Sequence, residues 1–256
     1  MRCGASWFRG CAVALGATLL APVGAASSHE VMLAADQFRG FSRPYRFVAE
    51  VMRRPAPNRR ATGGSRGEGA TVVEVRSDGF ARQLVLVREP RRGDALLKVG
   101  DDVWLRPRQL HRLTRIPPEL RVFGGAAISD VAAVDLSNIY EATTRKGSCE
   151  GGADYVLELA TTTPKVRYPR ARYRVDCRTY EPRQIDFMTE AGHVLKTVRY
   201  DKLEEVLGSR ISTEITIHDH IFHDTSSVRM SAFAFLEENE PDYTPGYLLS
   251  LVPELD

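Results

Sequence analysis

The chain predicts a mainly β fold, and three observations carry that expectation. Past residue 70, short runs rich in β-branched and aromatic residues alternate apolar with polar positions. Turn chemistry punctuates these runs, as at Ser77-Asp78-Gly79, Gly100-Asp101-Asp102 and Glu190-Ala191-Gly192. No long helical period separates them, so successive strands should pair with one another in a meandering antiparallel sheet.

Taken in order, the first element stands outside the fold. Arg2 and Arg9 precede the weakly apolar run Cys11–Ala21, and "PVGAASS" follows with small residues. That tripartite pattern predicts a secretory signal peptide over residues 1–26, cut near Ala25 or Ala26. The apolar run falls short of the roughly 20 residues that span a bilayer. A single domain over 27–256 remains. "SSHEVMLAADQF" predicts a helix with Ser28 as its cap. A long strand follows near Pro44–Met52, and then Arg53–Gly69, with five Arg, one Glu and several Pro and Gly, as a surface loop.

From there about ten more strands follow, including "TVVEVRS", "ARQLVLV", "ALLKV", "DDVWLRP" and the basic "RQLHRLTRI". The segment Pro118–Leu136 is too rich in Gly and Ala for a strand. Later runs include "RISTEITIHDHIF" and "SSVRMSAFAFL", and "PGYLLSLV" predicts a short closing helix.

Charge excludes one class of partner. The chain holds 35 Lys and Arg against 33 Asp and Glu, and the predicted signal removes two Arg and no acid. The balanced remainder offers no basic surface for nucleic acid. Cys3 and Cys11 leave with the signal, so Cys149 and Cys177 remain, in a compartment that favours disulfides. Strands near 154–161 and 166–177, joined by a Thr/Pro/Lys turn, would pair Tyr155 with about Tyr173. That register brings Gly151 or Gly152 opposite Cys177, with Cys149 two or three residues beyond, and predicts a Cys149–Cys177 disulfide.

Few residues offer chemistry. "HDHIFHD" gathers His218, His220 and His223 with Asp219 and Asp224, a density that could ligate zinc. On a strand, however, His218 and His220 share a face, while His223 joins them only if the chain turns at Ile221-Phe222. A polar strand end is the plainer expectation. There is no Gly-x-Ser-x-Gly elbow, no phosphate-binding loop and no His-Glu-x-x-His, so neither an enzyme nor a cofactor is expected.

The order of the pieces adds a further reading. "DDVWLRP", the Arg-rich "RQLHRLTRI", "ISDVAAVDLSNIY", "YVLELA", "YPRARYRVDCRTYEPRQIDFMTEAGHVLKTVRY" and "TPGYLLSL" follow one another over residues 70–256. This series resembles the outer-membrane lipoprotein-sorting family, related to the LolA and LolB carriers. The match rests on Asp102, Trp104, Pro107, Arg112, Arg115, Gly125, Ser129-Asp130-Val131-Ala132, Tyr140, Tyr168, Pro182, Gly192, Leu195-Lys196, Tyr200 and Tyr247-Leu248. The chain departs from the pattern where a closing Phe is replaced near Tyr243 or Thr244, at Cys177, and in the Arg53–Gly69 loop.

The resemblance implies a curved, incompletely closed antiparallel β-barrel of about ten or eleven strands with a small helical lid, residues 118–136, over an apolar cavity. It implies a monomeric periplasmic carrier of lipid or acylated lipoprotein, with an inner-membrane lipid transporter as a candidate partner. Candidate cavity residues are Trp104, Ile128, Val131, Leu136, Tyr140, Tyr173, Phe187, Leu195, Phe233 and Phe235, with Arg112 and Arg115 at the mouth. Two alternatives stay open: a non-enzymatic accessory protein with a collapsed cavity, and a metal-dependent periplasmic enzyme using His218, His220 and His223. Alternation alone cannot separate a greasy hollow from a filled core.

Overall fold

In the computed structural model the described residues are 26–54, 70–79, 81–110, 112–117, 120–123, 126–127, 136–147, 149, 154–161, 167–237 and 242–251. The predicted signal, the loop 55–69 and most of the predicted lid lie outside them. Helix α1 (Ser28–Asp36) comes first and continues into a 3-10 turn, Gln37–Arg39. Its cap is Ser27, one residue before the expected Ser28: the Ser27 hydroxyl accepts the Glu30 N–H while the Glu30 carboxylate accepts the Ser27 N–H. This reciprocal box satisfies two of the N–H groups that a helix start leaves bare. Ser27→Ala is expected to cost about 1 kcal/mol of stability, read from the midpoint of urea unfolding.

Thirteen strands form one antiparallel sheet among the described residues. They are β1 (Tyr45–Arg54), β2 (Thr71–Ser77), β3 (Arg82–Glu89), β4 (Ala95–Val99), β5 (Asp102–Arg106) and β6 (Thr114–Ile116), then β9 (Tyr140–Lys146), β10 (Tyr155–Thr161), β11 (Arg170–Val175), β12 (Pro182–Met188), β13 (Val194–Val206), β14 (Ser209–Asp219) and β15 (Asp224–Phe235). Between the two groups lie β7 (Arg121–Phe123) and β8 (Ala126–Ala127), a separate two-stranded ribbon. Helix α2 (Pro245–Ser250) closes the described chain, capped by the Thr244 hydroxyl.

The strand order is β6-β5-β4-β3-β2-β1-β15-β14-β13-β12-β11-β10-β9, so the sheet is a meander in two halves that meet at the β1–β15 seam. Edges β6 and β9 are not paired with each other, and the sheet is not closed.

More strands are present than the ten or eleven expected, and the difference has local causes. The run "RQLHRLTRI" contributes only Thr114–Ile116, because Pro107 begins a turn whose carbonyl accepts the Leu110 N–H. The Gly/Ala segment yields β7 and β8 despite its composition. The expected loop from Arg53 begins later, since Arg53 and Arg54 complete β1 opposite Ser226 and Thr225. In the β10–β11 hairpin Tyr155 faces Val175 and Leu157 faces Tyr173, a two-residue shift from the expected register that keeps every side chain on its face.

Alternation sorts the side chains into two layers. On the concave face Tyr45, Phe47, Ala49 and Val51 of β1 meet Val73, Val75, Val85, Val87, Leu96, Val103, Tyr173, Ile185, Ile217 and Val228, and Val31, Met32 and Ala35 of α1 pack onto them. On the convex face Leu84, Ala95 and Leu97 form a smaller core covered by Tyr243 and Leu248. One irregularity matters. The β1–β15 register slips between Arg46 and Val48, and Ala232 adopts φ 53. The extra residue flips the alternation, so Phe233 and Phe235 turn to the concave side after Val228 and Met230 have already used it.

Candidate functional site

The open end of the curl carries a cleft of about 560 Å³ between the α1 end, the chain leading into β1, and the ends of β14 and β15. Its floor is aromatic because of the Ala232 bulge. The Phe41 ring lies edge-on to Tyr45 (5.0 Å) and Phe235 (5.1 Å), and Phe47 stacks on Phe233 at 5.3 Å. Such pairs add roughly 0.5–1.5 kcal/mol each beyond their burial, and they back the two lining rings, Phe41 and Phe235, with the core. Leu33 of α1 adds an exposed apolar wall, while Ser42, Ser137 and Ser209 bring hydroxyls.

Two charged side chains face this space, and they differ. Asp36 is buried; its carboxylate takes Arg39 at 2.9 Å and the Ser137 N–H at 2.9 Å. It therefore ties α1 to the chain that follows the predicted lid. Arg43 is exposed, with its guanidinium 3.2 Å from the Phe235 ring centroid. Behind the cleft Tyr173 is fully buried beside Tyr200, and burial, with the neighbouring Tyr200, pushes its hydroxyl well above the ordinary tyrosine range.

A second fastening lies at the β14–β15 turn. The buried Asp224 carboxylate accepts both oxygens' bonds from Arg121 at 2.6 Å and one from Arg53 at 2.7 Å. Arg91 donates to the Val122 carbonyl at 2.8 Å. The β7–β8 ribbon is thus held from two sides, and its Phe123 and Ala126 are sunk into the concave core.

The expected site residues scatter over these layers. Phe235 lines the cleft, and Phe233 packs behind it against Phe41 and the concave core. Leu136, Tyr140 and Tyr173 are buried in the concave core, with the Tyr140 hydroxyl donating to the Tyr168 carbonyl at 2.8 Å. Phe187 packs at the edge of that core on Tyr168. Leu195 is half-buried and joins neither core. Ile128 and Val131 lie outside the described residues. Trp104 is placed on the convex face, against the layer of Leu84, Leu97 and Leu248, because Val103 and Leu105 on either side of it take the concave positions. Arg112 and Arg115 are exposed at the β6 edge and do not line the cleft; Arg115 pairs with Asp102. The sequence reading missed Leu33, Asp36, Phe41, Arg43, Ser137 and Ser209.

The His-rich stretch resolves into a turn. Asp219 ends β14 and its carboxylate accepts the Ile221 and Phe222 N–H groups at 2.9 and 3.0 Å, an Asx-type closure. The imidazoles of His218 and His220 lie 4.6 Å apart, edge to face. Thr197 donates to Asp186 at 2.7 Å, so its oxygen accepts from His220 Nε2–H at 3.0 Å. His218 Nδ1 is bonded to the Thr225 hydroxyl at 3.0 Å. Burial, and then His218, hold His220 below the usual imidazole range, which favours the neutral ring. His223 stands in the turn itself with φ 54, and among the described residues no three His, Cys, Asp or Glu converge as a metal would require.

Cys149 and Cys177 are joined, with Cα atoms 5.4 Å apart. The bond ties the connector between β9 and β10 to the turn after β11.

A curled, unclosed antiparallel sheet packed on an N-terminal helix is a fold shared with several solved proteins. A LolA superfamily protein from Nitrosomonas europaea is 24% identical and superposes with a TM-score of 0.74, over 87% of this chain and 100% of that one. An outer membrane lipoprotein-sorting protein domain from Vibrio parahaemolyticus gives 0.66 at 19% identity, over 86% and 97%. A DUF1329 family protein from Desulfovibrio piger also gives 0.66, at 15% identity. The chain itself belongs to a protein family described as "Uncharacterized protein", whose model matches residues 79–249. No curated protein matches it.

Proposed function

We propose that this protein is a non-enzymatic periplasmic carrier that shelters acyl chains of a lipid or lipoprotein during transfer towards the outer membrane. One observation carries the reading: the sheet curls around α1 without closing, and leaves a cleft of about 560 Å³ with an aromatic floor at its open end. Each methylene sheltered from water is worth about 0.8 kcal/mol, so even a partly covered chain gains several kcal/mol over one in solution. No helix among the described residues is long and apolar enough to cross a membrane. The predicted signal peptide and the partners at either membrane belong to the same proposal.

The test is direct. Protein purified from its own envelope and extracted with organic solvent should release acyl-bearing molecules on mass spectrometry, and the delipidated protein should bind a pyrene-labelled fatty acid. Lipid-free protein that ignores the probe would end the carrier reading.

The filled concave face favours a second reading. Phe123, Leu157, Tyr173 and Met32 are fully buried there, so the protein's own side chains fill that face at these positions. On that reading the protein is an accessory that docks another envelope component, with the Arg-rich segment 54–68 as its contact. Deleting 54–68 would then abolish partner capture while the probe binds neither form.

A further inference from the structure

We infer that the cleft selects an anionic amphiphile, whose carboxylate or phosphate sits at Arg43 while the first methylenes of its tail lie on Phe41, Phe235 and Leu33; this rests on the carrier reading above. Three observations support it. First, although many arginines on this molecule lean on carboxylates, as Arg82 on Asp78, Arg170 on Glu190, Arg183 on Asp176 and Arg210 on Glu181, others do not, and Arg43 is the one of these that lines the cleft. Among the described residues no carboxylate lies within ion-pair distance of Arg43, which instead rests on the Phe235 ring. Second, the one acid lining the cleft, Asp36, is already taken by Arg39 and by the Ser137 N–H. The cleft therefore carries an uncompensated positive charge. Third, Phe41, Phe235 and Leu33 line the same cleft and offer hydrocarbon beside that charge. A guanidinium stacked on a ring keeps its in-plane N–H groups free for a planar carboxylate or a phosphate.

The experiment compares three pyrene-labelled C16 probes, a carboxylate, its methyl ester and the matching amine, on the wild type and on Arg43→Gln and Arg43→Lys. The carboxylate should bind the wild type roughly tenfold more tightly than the ester, the worth of one charge-assisted hydrogen bond. Arg43→Gln should erase that gap, and a urea midpoint equal to that of the wild type shows that the variant folds. Arg43→Lys should keep part of the gap, and raising the salt should narrow it. Inorganic phosphate that displaces the carboxylate probe would identify the recognised group as the anion alone. Phosphate without effect would mean that head and tail are read together. Equal binding of carboxylate and ester, or a gap that survives Arg43→Gln, overturns the inference and leaves the carrier reading standing. Failure of all three probes on the wild type removes the carrier reading, and the inference with it.

Discussion

Asp224→Ala should destabilise this protein by about 3 kcal/mol, because it strands two guanidiniums around a hole. The Asp224 side chain is 3% exposed, with Arg121 on both of its oxygens and Arg53 on one. Arg121 also lies over the Phe222 ring, at 4.6 Å, so it cannot swing away to water without losing that contact. The alanine variant leaves like charges facing each other, whereas Asp224→Asn keeps the shape and part of the bonding and should cost less. The same site predicts an acid response. Burial would raise the Asp224 carboxyl, but the bonds from Arg121 and then Arg53 outweigh it and hold the group below the ordinary carboxylate range. A depressed folded value means that the stabilisation is complete above the unfolded carboxyl pKa of about 4 and drains away as pH falls through the folded value. Urea midpoints measured from neutral pH to about pH 3 should therefore decline more steeply for the wild type than for Asp224→Asn. Parallel curves would show that the hub contributes nothing to folding.

Loss of the Cys149–Cys177 bond should cost a similar amount. The two cysteines are 28 positions apart, and closing a loop of that size removes about 3–4 kcal/mol of unfolded-state freedom. For a domain of this length that corresponds to a fall of roughly 10 °C in Tm. The bond sits near the β9 edge of the sheet, where no further strand among the described residues backs the pairing, so hydrogen exchange should quicken first in β9 and β10. Cys149→Ala/Cys177→Ala is the variant to measure, since it leaves no reactive thiol. An unchanged midpoint would mean that the bond constrains nothing the sheet does not already hold.

The sheet was legible in the sequence because its rule is simple: alternate residues point to opposite faces, and the turns at Gly100 and Gly192 use the left-handed φ values, 56 and 84, that glycine supplies most cheaply. The Cys149–Cys177 pairing followed from the same counting. The assignment of faces was not legible. The resemblance implied a cavity wall for Trp104, but this sheet has two interiors, and only the covering of one by α2 shows which face Trp104 joins. Phe235 reaches the cleft through a bulge at Ala232, a residue type that carries no bulge signal. Arg43 carried no motif either. Its significance lies in what does not surround it, and a single sequence gives no view of that.

The seam between β1 and β15 has a consequence for how the molecule comes into being. Tyr45 pairs with Phe235, so the centre of the sheet is built from the two distant ends of the domain. Each flanking meander can zip from its own local hairpins, but neither gains its middle neighbour until almost the whole polypeptide has been delivered. A chain laid down from its amino end thus stays open for most of its delivery, and the last long strand locks it shut.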